Sequence, residues 1–448
     1  MEHITVDLTT ITGRIKPMHA ANNGPLYGAV SPQYADPLFN NYDHWVNAGI
    51  PYGRTHDSNH CYYYGGPHII DMEAVFPNFD ADPYDPASYD FEPTDIFIAS
   101  IEKAGTKVFY RLGEGIQHWI KKYDVFPPKD CKKWAVICEH IIRHCTEGWA
   151  DGHHFDIEYW EIWNEPDLCR HNPSTSPTWQ GTPEQYFELY NITARHLKSC
   201  FPHLKIGGPA MAGDMEWAEN FLNALDAPLD FFSWHCYTTT PAKEADRARQ
   251  IRNLLDRHGL TGCESINNEW NYVKGWSGKE SLYSHKVQKN LKGASFIAGT
   301  MCASQYAPVE MLMYYDARPG GMTGLWETDN PHNLLKGYWP FRMFNTLYKL
   351  GNALSVSSDC AELYACAAKN ATDAAVLLTH FDDTDEGEAI EIALTLSGCG
   401  NVRVKVETLD ETHDMSVTRK EIFTGENPVL RLTLPLFTTA LITIAENK

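Results

Sequence analysis

The sequence has no apolar run approaching the roughly 20 residues that a membrane-spanning helix needs, so no membrane partner is expected. Positive charge is also scarce, with 37 lysines and arginines against 58 aspartates and glutamates and a formal net charge of −21. Nucleic acids and anionic membranes are therefore disfavoured as partners, whereas a neutral ligand is not. Twelve cysteines are present, but none forms Cys-x-x-Cys, and their irregular spacing fits neither a zinc ribbon nor a dense disulfide framework. Cys131, Cys138 and Cys145 share one helical face, but successive members lie about 10 Å apart along a helix axis, too far to hold one ion. Buried apolar thiols are expected there. The opening residues Met1–Asp7 lack the basic and apolar regions of a secretory signal, so a cytoplasmic location is expected. Neither a metal nor an organic cofactor is expected: Asp80, Asp82 and Asp85 lack the glycine and terminal glutamate of an EF-hand loop and read as turn residues.

What the sequence does contain is alternation. Strand-like runs recur at Arg14–His19, Gly53–His56, Lys107–Leu112, Ile157–Trp163, Leu204–Gly208, Leu229–Trp234, Cys263–Asn268 and Val309–Tyr315, with helix-like stretches between them. Thr182 before Pro183 marks one helix start. Eight such alternations over residues 15–350 predict an α/β fold, a (β/α)8 TIM barrel. The longest insertion, Ser58–Pro93, is rich in Tyr, Pro and Asp and reads as a functional loop. After Gly351 the pattern becomes short alternating strands with turn clusters, which predicts a C-terminal β-sandwich over residues 351–448. Residues 1–14 alternate like a strand and are expected to pair with that sandwich.

The most informative stretch is Tyr159-Trp-Glu-Ile-Trp-Asn-Glu-Pro-Asp167. A strand-like run stops at Pro166, which cannot donate a ladder hydrogen bond, so Asn164 and Glu165 sit at a strand's C-terminal end. In a β/α barrel that rim is where active sites are built. Glu269 lies 104 residues on and ends a second such run, Glu264–Tyr272, so the two form a candidate carboxylate pair. Glu158 and Glu161 lie earlier on the first strand, Asp167 lies beyond the proline and Glu264 starts its strand, so these four read as structural.

Trp163-Asn-Glu-Pro166 followed by Asn268-Glu-Trp270 resembles the two catalytic strand ends of retaining glycoside hydrolases built on the (β/α)8 barrel. Lys16–His19 with Asn22–Pro25, Gly53–Asp57, Phe231–Tyr237 and the trailing sandwich narrow the resemblance to glycoside hydrolase family 39, the β-xylosidases and α-L-iduronidases. The resemblance implies Glu165 as general acid/base and Glu269 as nucleophile, a pair that a retaining mechanism needs about 5–5.5 Å apart. It further implies that Asn164 binds the sugar 2-hydroxyl, and that His235 and Tyr237, two residues apart on one strand face, contact nucleophile and substrate. Arg54, His56 and Asp57 end the second strand: a buried Arg54 near the nucleophile would lower its pKa, His56 could bind a sugar hydroxyl, and Asp57 reads equally as a substrate contact or an ion-pair partner. His19, Asn23, Tyr315 and Trp326 are further candidate substrate contacts. The partners implied are a small oligosaccharide or glycoside and a second copy of the chain as a homo-oligomer.

The expected activity is a retaining exo-acting glycosidase, β-D-xylosidase-like, with arabinosides, galactosyl-arabinosides or uronides as alternative substrates. A uronide would ask for a cation in the sugar pocket, and Arg318 is the candidate. A carbohydrate-binding barrel without turnover is the alternative of another class.

Overall fold

The computed structural model describes residues 1–25, 40–56, 59–61, 65–118, 120–170, 173–320 and 322–446. Strand β1 (Glu2–Arg14) comes first, then the barrel begins with β2 (Ala20–Asn22) and β3 (Tyr52–Thr55). A two-stranded ribbon, β4 (Asn59–Cys61) and β5 (Gly65–His68), interrupts it before β6 (Lys107–Leu112), β7 (Tyr159–Ile162), β8 (Lys205–Met211), β9 (Phe231–Thr238), β10 (Glu264–Tyr272) and β11 (Met311–Tyr314). The eight barrel strands close in the order β10-β11-β2-β3-β6-β7-β8-β9, and their ladders are parallel. The first barrel strand is Ala20–Asn22 rather than Arg14–His19. Arg14 ends β1, and the segment between is anchored instead by Lys16, whose Nζ donates to the carbonyls of Ser304, Ala307 and Val309 at 2.7–3.1 Å.

Side chains fill the barrel in layers. Ala20, Phe109, Tyr159, Phe231, Ile266, Met311 and Met313 form one buried apolar cluster, with Phe109 stacked on Tyr159 at 5.2 Å and meeting Phe231 edge-on at 5.2 Å. This plug makes the barrel a packed core rather than a pore, and the polar groups of the barrel mouth lie above it. Helices surround the barrel. That spanning Pro183–Cys200 starts with a capping box, Thr182 accepting from Gln185 N while the Gln185 side chain accepts from Thr182 N. Among the described residues no helix is long and apolar enough to cross a membrane.

The remaining strands are β12 (Asn352–Ser358), β13 (Leu363–Lys369), β14 (Asp373–His380), β15 (Ile390–Ser397), β16 (Val402–Leu409), β17 (Asp414–Phe423), β18 (Val429–Leu434) and β19 (Thr439–Glu446). With β1 they form one nine-stranded sheet, order β17-β16-β19-β14-β13-β12-β1-β15-β18. One apolar cluster joins strands from both ends of that order, such as Val404 on β16 and Leu430 on β18. The sheet therefore folds over on itself into the two layers of a sandwich. β1 lies in its middle, antiparallel to β12 and parallel to β15. Strand β17 is mostly exposed on both faces, so it lacks the apolar alternation by which its neighbours are legible.

A polar strut joins sandwich to barrel. Tyr272, at the end of β10, donates to Asp383 at 2.7 Å, and Lys292 Nζ reaches Thr384 O at 2.9 Å and Asp383 at 3.2 Å. Nearby, Ser295 Oγ donates to His380 O at 2.9 Å.

Candidate active site

The local backbone explains why the two glutamates meet. In β10 the register against β9 slips by one residue between Asn267 and Glu269, a bulge at Asn268. Without it, Asn268 and Glu269 would face opposite sides of the sheet. With it, Asn268 Nδ2 bonds Glu161 inside the barrel and Glu269 Oε1 also turns inward, 2.8 Å from Arg54 Nη1. At the end of β7, Trp163 (φ 75°) and Glu165 (φ 49°) take left-handed conformations that cost a non-glycine residue free energy. They are held by Trp163 N to Leu112 O (2.8 Å), Glu165 N to Ala210 O (2.9 Å) and Thr178 Oγ1 to Glu165 O (2.7 Å).

Arg54 is the hub. It is fully buried and donates to Glu161 Oε2 (2.7 Å), Asn22 Oδ1 (3.0 Å), Glu269 Oε1 (2.8 Å) and Asn164 Oδ1 (2.7 Å). Because Arg54 holds Asn164 by its oxygen, the amide's NH2 is fixed in direction, and that Nδ2 is buried without a hydrogen-bond partner among the described residues. Glu269 Oε2 accepts from the Tyr237 hydroxyl at 2.7 Å, and His56 Nε2 lies 3.3 Å from Oε1. Burial pushes the Glu269 carboxyl above the ordinary range, while His235, Arg54 and Tyr237 pull it down.

His235 sits between the glutamates, its Nδ1 2.9 Å from Glu165 Oε1 and 3.5 Å from Glu269 Oε2. Burial pulls its pKa down to about 4, so it is neutral near pH 7. Its Nε2 is buried without a partner, and an orphaned acceptor is better tolerated than an orphaned N–H. The proton therefore belongs on Nδ1, facing both carboxylates. One oxygen each of Glu165 and Glu269, with the His235 nitrogen, lie within 4.8 Å of one another.

The other expected residues divide. Tyr315 joins the site, its ring 5.8 Å from His56 and 6.4 Å from Tyr237. Asn23 follows β2, its N–H donating to Arg54 O at 2.7 Å, but the side chain on Arg54 is that of Asn22. Asp57 lies outside the described residues, as do Ser58 and residues 62–64 of the Ser58–Pro93 insertion. His19 is placed elsewhere: its ring is fully buried against Phe344 (5.3 Å) and Tyr348 (5.1 Å) of the helix Tyr338–Leu350, behind the barrel wall. Trp326 is also fully buried, packed near Trp45 and Tyr338 with its indole N–H on Ala317 O, so it offers no face to a ligand. Both are corrections with one cause: a residue near a strand end can turn to the helix layer as readily as to the barrel mouth.

His19 carries a consequence for stability. Burial lowers its pKa to about 3, below an unfolded value of 6.5, so its neutral form is favoured in the native state. That contribution is complete above pH 6.5 and lost as pH falls from there toward 3. His19→Phe should flatten the acid side of the stability profile, by about 3 kcal/mol at pH 4. Melting temperatures of both proteins from pH 7 to 4 check this: the gap must move in the variant's favour as pH falls.

The sequence does not single out Asn22 and reads Glu161 as structural; each accepts a hydrogen bond from Arg54 and orients it. Glu158 and Glu264, at the other end of the barrel, both pair with Lys205 (3.0 and 2.6 Å). Asp167 accepts the N–H groups of Ala212, Gly213 and Asp214. Besides the central trio, Asp95–His144–His153, Glu139–His196–Cys200 and Asp71–Glu73–Glu114 bring potential metal-ligating atoms together.

Residues 70–255 match the model of the glycosyl hydrolases family 39. A β-xylosidase of Geobacillus stearothermophilus is 38% identical over 125 residues, and one of Caldicellulosiruptor saccharolyticus is 31% identical over 212 residues. Over these segments the chain is similar to glycoside hydrolase family 39. The matched segments cover 26% and 42% of this chain and only 23% and 41% of those relatives' own lengths. The fold match is complete: a solved glucosidase from Croceicoccus marinus superposes with a TM-score of 0.79 at 21% identity, covering all of both chains. Glu165 and the His235–Tyr237 pair fall inside the region matched by the family model, whereas Glu269 falls outside it.

Proposed function

We propose that the chain is a retaining, exo-acting glycoside hydrolase of the β-D-xylosidase type. The observation that carries this reading is that one carboxylate oxygen of Glu165 and one of Glu269 lie within 4.8 Å of each other across the barrel mouth. That spacing suits a covalent mechanism, whereas inversion needs carboxyl groups about 6.5–9.5 Å apart to admit a water between them. Their surroundings divide the labour. Glu269, on Arg54 and the Tyr237 hydroxyl, is the ionised nucleophile. Glu165 is the more exposed of the two, and the Nδ1–H of His235 occupies its Oε1, so its proton sits on Oε2.

Glu269 then attacks the anomeric carbon while the glycosidic C–O bond breaks and Glu165 passes its proton to the leaving oxygen. The resulting Glu165 carboxylate takes a proton from water, whose oxygen attacks the anomeric carbon and displaces Glu269. Asn164 Nδ2, aimed by Arg54, is the donor for the sugar 2-hydroxyl, a contact that tightens as positive charge develops on the ring. A neutral glycone is favoured over a uronide because Arg318 is already paired with Asp316 (3.3 Å). Eleven of the twelve cysteines are free thiols, which fits a reducing, cytoplasmic setting.

A panel of nitrophenyl glycosides with proton NMR of the first-formed sugar tests the reading. The β-xyloside should turn over fastest, ahead of the β-glucoside, arabinosides and iduronide, and β-xylose should appear before its α anomer. Initial release of the α anomer, or turnover of none of the panel, would sink it.

A further inference from the structure

Trp276 is the one tryptophan among the described residues that is largely exposed, at 67%. It lies just beyond β10, and its ring meets Tyr237 edge-on at 4.9 Å. Tyr237 in turn touches Glu269 through its hydroxyl and meets the Tyr315 ring at 6.4 Å. A row of groups thus runs from the buried carboxylate through Tyr237 to an indole in solvent. Indole is among the most costly side chains to leave in water, and carbohydrate and aryl rings stack well on it.

The loop that carries Trp276 is fastened on both sides. Val273 N donates to Thr238 O at 3.0 Å, and Lys274 N to Ser284 Oγ at 2.9 Å. Behind it, the sandwich strut grips Tyr272 through Asp383. A platform held this way loses little further freedom when a ligand binds.

We infer that Trp276 is the stacking platform for the leaving group, the sugar or aryl ring on the far side of the bond being cut. This rests on the glycosidase reading. The cleaved sugar belongs to the enclosed end, where Glu269, His56 and His235 are buried, so the departing ring belongs at the open end, where Trp276 stands. Trp276 is accordingly a specificity residue and not a member of the catalytic pair.

Binding separates this inference from turnover. Phenyl 1-thio-β-D-xyloside resists hydrolysis and carries both rings, whereas D-xylose carries the glycone alone. By titration calorimetry Trp276→Ala should weaken the thioglycoside about 10-fold and leave D-xylose within about twofold, with Trp276→Phe in between. An unchanged melting temperature certifies the fold, as expected for an exposed side chain. Equal weakening of both ligands would place the glycone on Trp276, and equal retention of both, or no binding of either by the unmodified protein, would remove the platform; each overturns the inference. Selective weakening in a protein that hydrolyses no glycoside would uphold the platform and sink the catalytic reading instead.

Discussion

Replacing Glu269 by Gly is expected to lower turnover of a nitrophenyl β-xyloside by on the order of 10⁵-fold, the scale seen when a covalent enzyme loses its nucleophile. The deletion also leaves a space beside Arg54 and Tyr237, both shaped to hold an anion. Azide should enter there, attack the anomeric carbon from the vacated side and yield the α-xylosyl azide, inverted relative to substrate. In Glu165→Ala the opposite outcome is expected: the glycosyl-enzyme still forms from an activated substrate, azide resolves it from the other face, and the product is the β-azide. The two azide configurations, read by NMR, assign the roles independently of rate. Near-normal turnover by Glu269→Gly, or the same azide anomer from both variants, would reverse the assignment.

The second large effect is expected at Arg54. Arg54→Met leaves Glu161 and Glu269 without the guanidinium they share, and breaking a buried ion pair from one side costs about 3–5 kcal/mol. Removing the cation also lets burial act unopposed on Glu269, so its pKa climbs. Fewer molecules then carry the ionised nucleophile at a given pH, and the acid limb of kcat/KM moves to higher pH. A purely structural role would lower stability without moving that limb. The double variant Arg54→Met with Glu161→Gln separates the two effects, because it removes one stranded charge while leaving Glu269 unaided. Its melting temperature should recover part of the loss, and its pH profile should not. A pH profile unchanged from that of the unmodified protein in both variants would show that Arg54 does not tune the nucleophile.

Much of the site is legible in the sequence because strand ends announce themselves. β7 ends at Ile162 and Pro166 marks its rim just past Glu165, while the Asn-Asn-Glu-Trp run marks the rim of β10. What stays illegible depends on direction rather than position. Asn22 and Asn23 are adjacent, and a shift of one residue decides which of them faces the barrel. Glu161 looks like a strand charge in need of a partner until Arg54, more than a hundred residues earlier, arrives to meet it. The bulge at Asn268 adds a residue that no alternation rule anticipates, and it is what turns Glu269 inward. His19 and Trp326 show the same ambiguity in reverse, since both chemistry and packing use aromatic rings near strand ends.

The fold class follows from periodicity for the same reason that two sheet strands do not. Strand β17 is hydrated on both faces, and β12 follows Gly351 directly with only part of it buried. Each lacks the sustained period-two contrast that marks the other strands of the sandwich.

The place of β1 in the sheet has a consequence in time. Its neighbours, β12 and β15, are translated about 340 or more residues after it. At typical elongation rates of about 5–20 residues per second, that is a wait of roughly 20–70 s. Through that interval the barrel can assemble strand by strand while the apolar face of β1, with Ile4, Val6 and Leu8, has nothing of its own chain to cover it. The nascent molecule thus carries an uncovered hydrophobic strand until the sandwich strands emerge to pair with it.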